Sequence, residues 1–226
     1  MYQIDVNNVT KTYVVGDQSI QAVNKVSLKI GKGDFLSIVG HSGSGKTTLL
    51  SLIGGITNPT SGTILFEGGD ISSRGNDFLS EYRCEKIGFM FQFASLLPML
   101  TVKENLLLPT AFTSMSDQRK QAGQQTADLL RMVGLADKID VFPSQLSGGQ
   151  QRRVAIARAF MNKPALILAD EPTGDLDEET EQDMMNFFKT MNRAEGITFV
   201  MVTHNTDLAR QTQRQLRMHQ GTLQEV

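Results

Sequence analysis

The chain has 226 residues and a net charge of −2, so its composition offers no bulk electrostatic case for nucleic-acid binding. Hydrophobic residues make up 40% and charged residues 20%, which is ordinary for a globular protein of one substantial domain or two tightly joined ones. The single cysteine, Cys84, excludes an internal disulfide and fits a reducing compartment. Residues 1–13 lack a signal-peptide layout and no segment approaches the ~20 apolar residues of a membrane span, so we expect the chain not to cross a membrane by itself.

The first third of the chain reads mainly as strands. Apolar residues alternate with polar ones from 26 to 30, which is the period of a half-buried strand. The run "FLSIV" at 35–39 is typical of a strand that is covered on both faces, and a glycine-rich loop and a helix through about Ile53 follow it. The turn "PTSG" then leads into a further predicted strand at 63–67.

The middle of the chain, residues 93–160, is predicted to be a helical insertion. "TVKE" at 101–104 is a capping box, and we expect it to open a short helix that ends at Pro109. Residues 116–133 carry apolar side chains at helical spacing, and Gly134 follows as a C-cap.

The last third returns to strands that alternate with helices. "ALILAD" at 165–170 and "ITFVMV" at 197–202 are predicted buried strands, and a terminal hairpin is expected around Gly221. A stripe of apolar residues at helical spacing, interpreted as core packing, comprises Met184, Phe187, Phe188 and Met191. The alternation predicts a parallel α/β core.

A phosphate-binding loop is predicted at "GHSGSGKTT", residues 40–48, which matches G-x-x-x-x-G-K-[ST] between a buried strand and a helix. Its glycines let backbone N–H groups approach a phosphate chain, and the helix adds the positive end of its dipole. Lys46 can bridge the terminal phosphates, and the Thr47 hydroxyl can ligate Mg²⁺. An ordinary glycine-rich turn is the alternative. The candidate nucleotide-binding residues here are Gly40, His41, Ser42, Gly43, Ser44, Gly45, Lys46, Thr47 and Thr48.

Two carboxylates follow the buried strand in "LILADEP", residues 166–172. Asp170 would lie at the carboxyl edge of the sheet, where open α/β sheets bind ligands, and it suits Mg²⁺ coordination through water. Glu171 can polarise an attacking water or accept its proton. The alternative is a polar strand end, which the loop at 40–48 disfavours.

The stretch "LSGGQQRR", residues 146–153, combines a predicted helix over 150–160 with two glycines at its start. Each of these glycines costs about 1 kcal/mol relative to alanine inside a helix. Such a terminus presents N–H groups and the Ser147 hydroxyl to an anion. An N-cap role explains Ser147 alone and leaves Gly148 and Gly149 unexplained. The chain therefore carries a second predicted phosphate-binding feature.

These three motifs, in this order and spacing, resemble those of the ATP-binding-cassette (ABC) ATPases, and the resemblance covers nearly all 226 residues. It implies an α/β P-loop NTPase (RecA-like) core with an N-terminal antiparallel β subdomain and an inserted α-helical subdomain. Residues 1–92 and 161–226 would form the core and β subdomain, and residues 93–160 the helical signature subdomain. In this family "LSGGQ" caps the γ-phosphate held by another copy, which implies a head-to-tail homodimer around two ATP. The implied signature contacts are Ser147, Gly148, Gly149 and Gln150.

Smaller motifs carry over from the resemblance one position at a time. Tyr13, just after the expected first strand, resembles the aromatic residue that stacks on adenine, although an ordinary strand tyrosine remains the alternative. Gln92 resembles the glutamine that meets Mg²⁺ and water and senses the membrane partner. Asp177 in "TGDLD" resembles the aspartate of a loop that contacts the opposite subunit. His204 resembles the histidine that contacts the γ-phosphate, and a structural histidine is its alternative.

Within the family, the stretches 54–62, 91–109 and 168–177 are similar to the macrolide-exporter and lipoprotein-releasing group. Asp175 departs from the asparagine that is frequent in this branch. The resemblance implies an ATP-hydrolysing subunit, peripheral at the cytoplasmic face of the cell (inner) membrane, that drives integral-membrane permease subunits with large extracytoplasmic domains. Export and mechanotransmission both remain open.

Two other functional classes are disfavoured by what the sequence lacks. A non-transport ABC protein of DNA repair or translation would carry a long coiled-coil insertion or a second cassette, and the chain has neither, nor a basic excess. A P-loop GTPase or kinase has no use for "LSGGQ", and the guanine-reading N-K-x-D is absent from the sequence.

Overall fold

The computed structural model describes residues 2–114, 116–174 and 176–226, so Asp175 lies outside the described residues. The strands are β1 (Tyr2–Val15), β2 (Gln18–Gly31), β3 (Phe35–Val39), β4 (Ser61–Phe66), β5 (Gly69–Asp70), β6 (Ile87–Met90), β7 (Leu166–Asp170), β8 (Thr198–Thr203), β9 (Arg214–His219) and β10 (Thr222–Glu225). The helices are α1 (Lys46–Ile53), α2 (Asn76–Lys86), α3 (Val102–Leu107), α4 (Ser116–Met132), α5 (Gly148–Ala159), α6 (Glu178–Glu195) and α7 (Thr206–Ala209).

The central sheet has six strands in the order β10-β9-β3-β8-β7-β6. Its strands pair in parallel except for β10, which forms the predicted terminal hairpin with β9. Successive side chains of β7 enter two different cores: Leu166 and Leu168 pack on one face, and Ile167 and Ala169 pack on the other. Because both faces are covered, these strands are continuous apolar runs.

A second sheet, in the order β2-β1-β4-β5, is antiparallel and packs with α1 in the same core as Leu166 and Leu168. The alternating residues 26–30 of β2 behave as predicted, because Val26, Leu28 and Ile30 are buried. The parallel core, the antiparallel β sheet and the helical insertion confirm the predicted fold class.

The opposite face of the central sheet is covered by helices α3 to α6. Thr101 and Glu104 form the predicted capping box at the start of α3. The prediction that this helix ends at Pro109 is wrong: α3 ends at Leu107, and Pro109 lies inside a 3-10 turn over Leu108–Ala111. Proline is accepted there because the first residues of a helical turn need no N–H partner.

Other element boundaries also differ from the sequence prediction. Helix α5 begins at Gly148 rather than at 150, because Ser147 caps it. Strand β4 begins at Ser61, and Glu67 has left the strand with a φ of 48°. Tyr13 lies within β1, not after it, because β1 continues through register shifts to Val15.

The remaining helical predictions agree with the structure. The apolar stripe of α6 lies in the core, and Gly134 follows α4 with a φ of 68°, as a C-cap requires. Helix α2, over Asn76–Lys86, was not predicted. Within residues 2–114, 116–174 and 176–226, no helix has the length and apolar character needed to cross a membrane.

Candidate functional site

The phosphate loop joins β3 to α1 at the carboxyl edge of the central sheet. Strands β7 and β8 end at the same edge, so the residues that follow them converge on the loop. A cavity of about 1350 Å³ opens there. The predicted site residues that line it are Tyr13, Gly40, His41, Ser42, Gly43, Gly45, Lys46, Thr47, Thr48, Gln92, Asp170, Glu171 and His204.

The glycines of the loop are required for different reasons. A Cβ on Gly40 would collide with the carbonyl oxygen of Met218 in β9, and a Cβ on Gly45 would collide with that of Ala22 in β2. Gly43 has open space around it but a φ of +77°, which L-residues rarely adopt. Two of the three glycines thus let the loop pack against neighbouring strands, a requirement that the motif alone did not reveal.

Lys46 is almost fully buried, and its Nζ donates to the carbonyl oxygens of Gly40 at 2.7 Å and His41 at 3.0 Å. These bonds hold the ammonium group over the loop, where it can meet terminal phosphates. Ser44 does not line the cavity. It is buried behind the loop, and its hydroxyl has no hydrogen-bond partner among the described residues.

Thr47 and Asp170 meet at the start of α1, where the Thr47 hydroxyl donates to Asp170 Oδ2 at 2.7 Å. Burial raises the pKa of Asp170 above its ordinary value. Gln92, just after β6, lines the same cavity. One carboxylate, one hydroxyl and one amide fit Mg²⁺ that keeps several waters and phosphate oxygens as ligands. In the described part of the chain, no group of three or more His, Cys, Asp or Glu side chains is placed so that it could hold a metal ion by itself.

Glu171 is the most constrained residue of the site, because it is a non-glycine with a φ of 47°. Its N–H donates to Val202 O at 2.9 Å. Its carboxylate accepts hydrogen bonds from the Thr203 hydroxyl at 2.9 Å and the His204 N–H at 2.8 Å, and His204 Nδ1 lies 2.8 Å from Oε1. The structure thus brings the predicted pair Glu171 and His204 together. Thr203 was missed, because a threonine before a histidine carries no motif of its own.

Arg152 is a second residue that sequence reasoning left without a role. It is 3% exposed, although it belongs to an otherwise ordinary run of polar residues in α5. Its guanidinium donates to main-chain carbonyls around the site, which belong to Phe91, Gln92, Glu171 and Pro172. The available clue was its spacing, because Arg152 precedes buried Ile156 by four residues and so shares its helix face.

The signature residues 147–150 do not line the cavity. Ser147 and Gln150 form a capping box, in which the Ser147 hydroxyl accepts from Gln150 N at 3.2 Å and Gln150 Oε1 accepts from Ser147 N at 2.9 Å. Gly148 is exposed with helical backbone, and a Cβ there would meet none of the described residues within 4 Å. A Cβ on Gly149 would make only an ordinary contact with Leu176. Neither glycine is therefore required by the chain's own packing.

Asp177 also lies outside the cavity lining. It caps α6 by accepting from the N–H of Thr180 at 3.0 Å and from its hydroxyl at 2.8 Å. These hydrogen bonds, the backbone one first, hold the pKa of Asp177 below its ordinary value. An exposed, ionised carboxylate thus lies on the surface, available to another molecule.

Tyr13 lines the cavity and is 40% exposed, and Lys11 Nζ lies 5.1 Å from the centre of its ring. Ala22 of β2 and His219 of β9 also line the cavity. A half-exposed aromatic ring in this cavity is suited to stack on a flat base.

The fold and this site together define the chain as a P-loop nucleoside triphosphatase. A family model described as ABC transporter matches residues 23–174. The chain belongs to the ABC transporter family, which confirms the resemblance seen in its motifs.

Individual relatives agree with this assignment. The ABC transporter ATP-binding protein YknY of Bacillus subtilis is 43% identical over 97% of this chain and 94% of its own length. The macrolide export ATP-binding/permease protein MacB of Rhodopirellula baltica is 42% identical over 98% of this chain, which spans only 32% of that relative. These names indicate an ABC ATPase of the transport type, as the sequence predicts, and not the repair-type alternative.

Solved structures of the ATP-binding cassette MJ0796 have the same fold. Its dimeric form is 42% identical, covers 98% of each chain and superposes with a TM-score of 0.90. A second dimeric structure of that cassette, described as a post-hydrolysis state bound to ADP and Pi, is 39% identical with the same TM-score and coverage.

Proposed function

We propose that the chain is the ATP-hydrolysing subunit of an ABC transporter complex and works as a head-to-tail homodimer around two Mg-ATP. In this arrangement, the phosphate loop of one copy and the signature residues 147–150 of the other enclose each nucleotide. The complex would lie at the cytoplasmic face of the cell (inner) membrane and drive integral-membrane permease subunits.

The observation that carries this proposal is the position of Gly148. It opens α5 although alanine favours a helix more than glycine does, and neither backbone conformation nor packing within the described chain requires glycine there. Although this end of α5 carries a capping box, its two glycines leave room for an anion to approach the helix N-terminus, where N–H groups and the helix dipole favour negative charge. Since Gly148 lies outside the chain's own nucleotide cavity, we infer that another molecule supplies the anion. The dimeric form of the MJ0796 cassette supports a second copy as that molecule.

Hydrolysis in such a site would rest on positioning and electrostatics. Lys46 would hold the terminal phosphates, and Mg²⁺ held by Thr47 and, through water, Asp170 would neutralise their charge. The Glu171 carboxylate retains acceptor capacity beyond its bonds to Thr203 and His204, so it can orient water for attack on the γ-phosphorus. The water oxygen would form a new bond to the γ-phosphorus as the bond to the bridging oxygen breaks, with the water proton passing to the Glu171 carboxylate, so that ADP and phosphate leave.

A membrane partner is supported by the segment that follows Gln92. This segment exposes large apolar side chains, which a soluble surface rarely concentrates, and the exposed fractions reach 75% at Phe93 and 76% at Met99. A permease surface docked on this segment would touch the loop that carries Gln92. Because Gln92 lines the nucleotide cavity, a movement of the permease would be transmitted to the bound nucleotide. We expect a tagged chain to co-purify a multi-spanning protein from detergent extracts, and recovery of the chain alone would contradict this part of the proposal.

The nucleotide part of the proposal is tested with Glu171→Gln. We expect this variant to bind Mg-ATP, to hydrolyse it at least about 100-fold more slowly than the unchanged chain, and to accumulate as a dimer. Size-exclusion chromatography with light scattering measures the mass with and without Mg-ATP. Glu179→Gln is the control, because Glu179 is exposed on α6 away from the cavity. A Glu171→Gln chain that stays monomeric in excess Mg-ATP with near-normal turnover would overturn the assignment.

A further inference from the structure

We propose that Arg152 is a positioning residue, which fixes the main chain at Gln92 and Glu171 to the signature helix α5. When α5 binds a nucleotide held by the opposite subunit, Arg152 would thereby fix the catalytic geometry of the chain's own site. This inference rests on the proposed function and deepens it.

The first support is the set of bonds that Arg152 makes. Nε donates to Pro172 O at 2.8 Å, Nη1 donates to Phe91 O at 2.6 Å and to Gln92 O, and Nη2 donates to Glu171 O. One planar group thus ties together α5, the segment after β6 and the segment after β7. A buried cation is tolerated when its charge is satisfied by such oriented dipoles.

The second support is the backbone of Glu171. Its left-handed conformation is costly for a non-glycine residue, by about 1–2 kcal/mol. Two hydrogen bonds hold this conformation: the Glu171 N–H donates to Val202 O, and the Arg152 guanidinium donates to Glu171 O. This turn directs the Glu171 carboxylate to Thr203 and His204. Removal of the guanidinium would allow the turn to relax and the carboxylate to shift.

Two neighbouring arginines of α5 separate this role from ordinary packing. Arg158 donates to Ala94 O at 3.0 Å and Ser95 O at 2.9 Å, so it holds the segment after Gln92. Arg153 donates to Val133 O at 3.0 Å, at the end of α4. Of these three arginines, Arg152 is the one that joins both Gln92 and Glu171 to α5.

The test compares Arg152→Lys and Arg152→Met with Arg153→Lys and Arg153→Met. A shift of about 1 Å in a reacting group costs on the order of 100-fold in rate, so we expect kcat to fall about 100-fold in Arg152→Met, while the Kd for ATP stays within about threefold. Arg152→Lys keeps the charge but cannot fork to several carbonyls, and we expect a fall of about tenfold. Both Arg153 variants should keep kcat within about threefold of the unchanged chain.

Dimerisation distinguishes a positioning role from a purely structural one, because a loss of structure would also abolish dimerisation. In the Glu171→Gln background, Arg152→Lys should still dimerise with Mg-ATP, because the N-terminus of α5 is intact. Lysine keeps the aliphatic stem and the charge, so Arg152→Lys still tests the positioning role if Arg152→Met does not fold. Unchanged kcat in Arg152→Lys and Arg152→Met, or a loss of kcat matched by equal losses of ATP binding and dimerisation, would overturn the inference. An unchanged chain without ATPase activity would instead overturn the proposed function.

Discussion

The chain has two glycine-rich segments at the N-termini of helices, and they differ in how they contact the rest of the molecule. The phosphate loop at 40–48 is built into the chain's own cavity, where Lys46 and Thr47 are already held by hydrogen bonds. The signature residues 147–150 lie outside that cavity, and their polar groups cap their own helix. The first segment faces a cavity within one chain, whereas the second would, in the proposed dimer, face the nucleotide of another copy.

The reason for glycine differs between the two segments in the same way. At Gly40 a side chain would collide with β9 of the same chain, so glycine is required for folding. At Gly148 a side chain would meet no described residue within 4 Å, so packing within the chain does not require glycine there. This difference fits the proposal that one chain binds ATP in its own loop and needs a second chain to hydrolyse it.

The largest expected effect comes from Ser147→Arg, which fills the space in front of α5. We expect this variant to bind ATP as the unchanged chain does, because its own cavity is intact, but to lose at least about 100-fold in hydrolysis. ATP binding is measured by calorimetry and hydrolysis by phosphate release. Ser144→Arg, in the exposed turn before the signature, is the control. If the Ser147→Arg chain lost ATP binding, the signature residues would contribute to the chain's own ATP site, which would contradict the difference between the two segments.

A pair of alanine substitutions should change stability in opposite directions. Gly148→Ala adds a helix-favouring residue in open space and should raise the free energy of unfolding by about 0.5–1 kcal/mol, while hydrolysis falls about tenfold. Gly40→Ala should lower the free energy of unfolding by at least about 1 kcal/mol, because its Cβ collides with β9. Urea unfolding without nucleotide measures both, and equal signs would contradict the comparison.

Tyr13→Ala tests the nucleotide end of the cavity and should have a moderate effect. Base–aromatic stacking contributes about 1–3 kcal/mol, so we expect the Kd for ATP to rise about tenfold, with kcat at saturating ATP largely retained. Tyr2→Ala is the matched control, because Tyr2 is an exposed tyrosine at the other end of the same strand. An unchanged Kd would mean that Tyr13 does not stack on the base and is an ordinary strand tyrosine.

The smallest expected effect concerns Asp170. Burial raises the pKa of Asp170 in the folded chain. At a pH above that folded-state pKa, the ionised carboxylate therefore lowers the free energy of unfolding of the nucleotide-free chain. This destabilisation disappears as the pH falls towards the pKa of the unfolded chain, about 3.9. Asp170→Asn should therefore raise the melting temperature at pH 7 by about 2 °C, and the gain should shrink at lower pH. Thermal unfolding without Mg²⁺ measures it, and a lower melting temperature at pH 7 would contradict burial as the cause of the raised pKa.

The sequence predicts what is local and leaves undetermined what depends on long-range contacts. The phosphate loop and the strand ending at Asp170 were predictable, because each is a contiguous motif with its own flanking pattern. The start of α5 was misplaced, because the helix penalty of Gly148 was weighed without the capping box that offsets it. The roles of Thr203 and Arg152 emerge only from packing, since the pairing of Asp170 with Val202 brings Glu171 beside Thr203.

Cross-linking between the two glycine-rich segments is the decisive experiment for a site shared by two copies. One chain would carry Ser147→Cys and the other Ser42→Cys, both in a Glu171→Gln and Cys84→Ser background, with a short bis-maleimide as the linker. Ser42 lines the nucleotide cavity, so a head-to-tail dimer brings the two positions together across the bound phosphates. We predict a mixed cross-linked dimer with Mg-ATP and almost none without it. Absence of the mixed product in Mg-ATP, or equal yield without nucleotide, would contradict a shared site.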